Sequence, residues 1–167
     1  MQEKDYAAEY LALKAANDQL RERGKQWLFD SLNQICMEIN QKWLTQGNPL
    51  QGSASILSGV QAGWQFKVEN AVMVGERFGA RFRHRTLTVE AGWPRLPEHG
   101  FIPDGGLARG RVGLSQNIMI EPQLVAELIL KKAGSGEPAW FVVKNKALGE
   151  QVTEVRLKEH LNCILAD

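Results

Sequence analysis

With 167 residues, 44% hydrophobic and 23% charged, the chain is long enough to bury one core without disulfides or metal, and this composition excludes global disorder. Its net charge of +1 excludes a strong whole-molecule field of either sign. The near-neutrality hides a distribution: residues 1–46 hold six basic and seven acidic side chains, residues 60–112 eight and five, and residues 113–167 six and seven. No apolar run approaches the ~20 residues that span a bilayer, and the N-terminus lacks a signal-peptide core, so the expectation is a cytoplasmic protein without a membrane partner. Cys36 and Cys163 each fall in a helical apolar pattern, which fits buried thiols in a reducing compartment rather than a disulfide.

Residues 5–45 contain no proline and a single glycine, Gly24, and apolar residues recur at steps of three and four. The pattern predicts one long helix or two consecutive ones, using Tyr6, Tyr10, Leu13, Leu20 and Trp27 first and then Leu28, Leu32, Ile35, Ile39 and Trp43. The stripe slips by one residue near Gly24. A continuous helix of this length runs about 60 Å, more than a domain of this size covers, so its first turns should either project as an oligomerising arm or fold back at Gly24. Gly47, Pro49 and Gly52 end the helix in a loop at 47–53. The organisation expected is a helical arm at 1–46 and an α+β domain at 54–167, forming one cooperative unit.

Residues 54–63 are weakly patterned, as a short strand or a loop. Residues 64–70 alternate apolar and polar, and Val72 to Val74 extend that strand after a change of parity. Gly75 and Glu76 separate it from the clearest two-residue period in the chain, which places Arg77, Arg81, Arg83 and Arg85 on one strand face and Phe78, Ala80, Phe82 and His84 on the other. Past Thr86 the parity reverses, so a bulge, a strong twist or a tight turn must intervene near His84 to Thr86. Two strands joined so closely are antiparallel.

Residues 92–106 concentrate three of six prolines and four of sixteen glycines, marking a long connection. Strand composition resumes over 107–120, with Arg109 and Arg111 alternating among glycines that read as turns and a bulge rather than as a phosphate loop, because no Gly-Lys-Ser/Thr follows. Pro122 and the apolar positions Leu124, Val125, Leu128 and Ile129 predict a helix over 123–133. A covered strand at 139–143, a polar turn through Gly149 and a helix beginning at Thr153 complete the chain. The fold class is α+β: an antiparallel sheet of four to five strands with helices packed on one face.

Chemistry is sparsely marked. His84, His99 and His160 are scattered, and neither metal-ligand spacing nor a nucleophile elbow occurs, so neither cofactor nor metal is expected. Glu98, His99 and Asp104 are the acid–base candidates in the long loop. The candidate binding residues are Arg81, Arg83, Arg85, Arg109 and Arg111, whose planar forks suit phosphate and carboxylate, and Trp93, expected to be partly exposed beside Pro94. The leading expectation is a non-enzymatic interaction module with a protein partner, self-associating as a homo-oligomer through the N-terminal helix. Nucleic acid on the arginine face and a small ligand or substrate in a pocket near residues 93–106 are the alternatives.

Overall fold

The computed structural model describes residues 5–48 and 54–166. Seven strands form a single antiparallel sheet in sequence order: β1 (Leu57–Val68), β2 (Ala71–Phe82), β3 (Arg85–Trp93), β4 (Ala108–Ser115), β5 (Gln123–Lys132), β6 (Pro138–Lys144) and β7 (Ala147–Gln151). Helices α1 (Tyr6–Gln46) and α2 (Glu154–Leu165) flank the sheet in sequence and pack on the same face of it. The class is α+β as predicted, with seven strands in place of four or five.

Helix α1 is continuous through Gly24, because that glycine serves packing rather than a bend. A Cβ there would lie 2.6 Å from both methyls of Leu130 on β5, and the Gly24 carbonyl accepts the indole N–H of Trp140 from β6 at 2.8 Å. Asp5 caps the helix by accepting from the Ala8 amide at 3.2 Å. Leu28, Phe29, Leu32, Ile35 and Cys36 face the sheet. Alternate residues of β2 and β3 meet them: Phe78, Ala80 and Phe82 stand opposite Val89, Leu87 and Arg85. Leu157, Leu161 and Ile164 of α2 close the same core, beneath a Thr153 cap on the Arg156 amide. Of the predicted loop at 47–53, residues 49–53 lie outside the described residues.

Several predicted elements differ. Residues 123–133 form β5, not a helix: apolar positions 124, 125, 128 and 129 satisfy a helical period, but Ala126, Leu128 and Leu130 supply a strand face toward the core while Glu127, Ile129 and Lys131 take the other. The arginine run is a hairpin, not one strand. Its turn is Arg83-His84, with Arg83 at φ +58°, which accounts for the parity reversal. Gly75 and Glu76 are interior to β2, and the preceding turn is at Glu69-Asn70, with Glu69 at φ +55°. Gly75 faces Gly92 across the β2–β3 pair, and a Cβ on Gly75 would come within 2.0 Å of the Ala91 carbonyl oxygen, so this close approach admits no side chain. Residues 57–63, read as weak pattern, are the first part of edge strand β1, and residues 147–151, read as a polar turn, form the other edge strand, β7. The bulge expected among the glycines of β4 falls between Val112 and Gly113.

Candidate functional site on the outer sheet face

The helices cover one sheet face, and the face opposite carries the arginines together with a folded-over loop. Register places Gln61, Arg77, Glu90, Arg111 and Glu127 side by side across five strands. Charges alternate along this row from β2 to β5, the arrangement that cross-strand pairing favours. Arg111 grips Glu90 with two hydrogen bonds, Nε to Oε1 at 3.1 Å and Nη2 to Oε2 at 3.0 Å. The indole of Trp64 donates to the same Glu90 Oε2 at 2.6 Å, and Arg77 lies over the Trp64 ring at 4.1 Å. Arg111 also covers the ring of Phe66 at 5.0 Å.

The predicted site residues therefore separate. Arg81 stays on the outer face at the end of β2, donating to the Arg83 carbonyl at 3.0 Å. Arg83 sits in the turn with its guanidinium 5.2 Å from the Phe82 ring centre, and Arg85 starts β3 opposite Phe82, on the helix-covered side. The expectation of one shared arginine face fails because the turn inverts side-chain direction after Phe82. Arg109 is only 5% exposed and Arg111 is committed to Glu90.

Trp93 is 4% exposed, against the partial exposure expected beside Pro94. It points to the helix side, with Arg95 stacked at 3.8 Å and Lys25 of α1 at 5.5 Å from its ring. Arg95 reaches the Val74 carbonyl through Nε and Nη2 at 3.2 and 3.1 Å. Burial lowers the Arg95 pKa, opposed chiefly by nearby Glu22 and Asp18. A groove of about 590 Å³ separates residues 93–97 from Tyr10, Lys14 and Asp18 of α1.

The long connection folds onto the outer face. Ile102 packs on Phe66, Val68, Ala71 and Met73 as a second small core. The loop candidates have structural partners: His99 Nδ1 accepts the amides of Arg95 and Leu96 at 3.1 and 3.2 Å, and Asp104 turns the chain at φ +59° beside Gly105 at +72°. Glu98 is exposed. Beneath the loop, Val68, Ala71, Met73, Ile102, Pro103 and Arg109 line a cavity of about 250 Å³.

Sequence reading missed Glu90 as the centre of the face, Glu127 as its neighbour, and the buried Lys25–Glu76 pair at 2.7 Å. The two-residue alternation of Thr88, Glu90 and Gly92 carries part of that signal, but only register reveals which arginines flank the acid. Among the described residues no group of three or more His, Cys, Asp or Glu is placed to hold a metal ion, and no helix of the described residues is long and apolar enough to cross a membrane. Comparison with models of protein families, with curated proteins and with solved structures gives no match.

Proposed function

We propose that this chain is a non-enzymatic interaction module that self-associates through the N-terminal part of α1. One observation carries the reading: the apolar stripe of α1 overruns the sheet. Tyr6, Tyr10 and Leu13 are 73%, 66% and 61% exposed, while Leu20, next on the same stripe, packs against the core. An amphipathic helix gains most of its stability from packing that stripe, so the first turns lack the support that the rest of α1 receives.

A second copy of the same arm supplies that support. Tyr6, Leu13 and Leu20 fall at one heptad position and Tyr10 and Asn17 at the other, the pattern of a two-helix seam in which a single polar residue sets register. In a parallel pair, Glu9 of one copy faces Lys14 of the other across that seam, an opposite-charge contact. The seam ends at Asn17, where the helix reaches the sheet. So short an interface belongs at the small, transient end of the range, so association should depend on concentration.

Sedimentation velocity from low to high micromolar concentration tests this. The wild-type mass should climb from 18.7 kDa toward twice that value. A Tyr10→Glu, Leu13→Glu variant should remain monomeric with its thermal midpoint little changed. A wild-type chain that is monomeric throughout sinks the proposal. The nucleic-acid alternative draws less support from the geometry, since Glu90 and Glu127 interrupt the arginine row and Arg109 is enclosed.

A further inference from the structure

Arg109 is the least exposed charged side chain of the described residues, and its bonding is incomplete. Its Nε donates to the Leu128 carbonyl at 3.1 Å, but its enclosed Nη2 has no hydrogen-bond partner. The carboxylate of Glu127 stands 3.7 Å from Nη2, inside ion-pair range and beyond hydrogen-bond distance. A guanidinium does not relieve burial by losing its proton, and a buried charge short of partners is costly. We propose that Arg109 is the anchor of a binding site for a small monocarboxylate, seated in the cavity beneath the 100–104 segment. This inference is independent of self-association.

The cavity fits that chemical class. Its volume of about 250 Å³ lies just below the range of drug-sized pockets, roughly 300–1,000 Å³, and suits a short ligand. Val68, Ala71, Met73, Ile102 and Pro103 offer an apolar body its contacts, while a carboxylate end matches the guanidinium fork. Glu69, exposed in the same wall, opposes a second negative charge, which selects monoanions over dicarboxylates and phosphate. Nη2 itself has no accessible surface, so binding requires the Arg109 fork to turn toward the cavity that its residue lines, beside the largely exposed Phe101. Glu127 is the internal competitor, an acid near enough to attract Arg109 yet not bonded to it.

Isothermal titration of the full chain with hexanoate and benzoate, beside hexanamide, benzamide and succinate, tests the site. Both monocarboxylates should bind, and the neutral amides and succinate should bind at least about tenfold more weakly, the scale of losing one charged hydrogen bond. Arg109→Met should abolish the preference for carboxylate. Glu127→Gln should tighten monocarboxylate binding severalfold, an effect that a merely structural ion pair would not produce. If Arg109→Met fails to fold, the Glu127→Gln titration decides. Absence of binding, equal binding of acids and amides, or unchanged affinity in Glu127→Gln overturns the proposal.

Discussion

At the scale of single residues, burial decides the chemistry. Cys36 lies in the core between α1 and the sheet, and burial pushes its thiol up from an ordinary 9.0 to about 11, with a hydrogen bond from Ser58 acting the other way. Cys163 is exposed on α2, contrary to the expectation that both thiols are buried. Its neighbours Leu161 and Ile164 fill the core, and the helical period turns residue 163 outward. In the native protein iodoacetamide should therefore modify Cys163 first, with Cys36 slower by at least about a hundredfold, since two units of pKa remove that much thiolate. Mass spectrometry of timed samples checks the order. The linkage has a definite sign: the folded state holds the Cys36 proton more tightly than the unfolded state, so this contribution is intact below pH 9.0 and is lost as pH rises toward about 11. Chemical denaturation over that interval should show a loss of stability that Cys36→Ala reduces.

Glycine and tryptophan positions were legible only as residue types. Gly24 reads as a helix break, and its role is to let α1 approach Leu130 and to offer its carbonyl to Trp140. Trp93 reads as a loop aromatic, and its side chain is sealed between Arg95 and the helix. Sequence spacing gives direction along an element, but not which partner arrives from elsewhere.

At the scale of elements, Lys25 and Glu76 fasten α1 to β2. Lys25 Nζ sits 2.7 Å from Glu76 and 3.1 Å from Glu22, with Trp93 beside it. Removing one partner of a buried pair is costlier than replacing both, because the survivor keeps its charge without compensation. Lys25→Ala should lower unfolding free energy by about 1–3 kcal/mol, below the full buried-pair cost because Glu76 retains some solvent. Lys25→Met with Glu76→Leu should recover most of the loss. Urea denaturation of the two variants measures both, and a double variant no better than the single one would contradict the assignment.

The long helix, the Thr153 start of α2 and the strand at β6 were readable because local pattern and tertiary role agree there. β5 was not, since a run with apolar residues on both sides carries a helical and a strand period at once. Its place in mid-sheet, hydrogen-bonded by β4 and β6, resolves the ambiguity. The Arg83-His84 turn escaped a definite placement because neither residue is a usual turn former. Parity alone betrayed it.

At the scale of the whole molecule, α1 supplies five buried residues to the same cluster that β2, β3, β4, β5, β6 and α2 complete. A helix that contributes this much to one core should not melt separately. Far-UV circular dichroism and tryptophan fluorescence are expected to report one coincident urea transition; separated midpoints would mark the helix as an independent unit.

Composition and local periodicity by themselves determined the α+β class, the helical N-terminal stretch with its apolar stripe, the basic middle of the chain and the long connection at 92–106. These are properties of neighbouring residues, carried by spacings of two and 3.6. Tertiary structure alone decided the rest: seven strands in sequence order, glutamates set between arginines, Trp93 buried, and Arg109 enclosed beneath a loop. Each of those depends on register between segments distant in the chain, where a shift of one residue exchanges the buried and solvated faces.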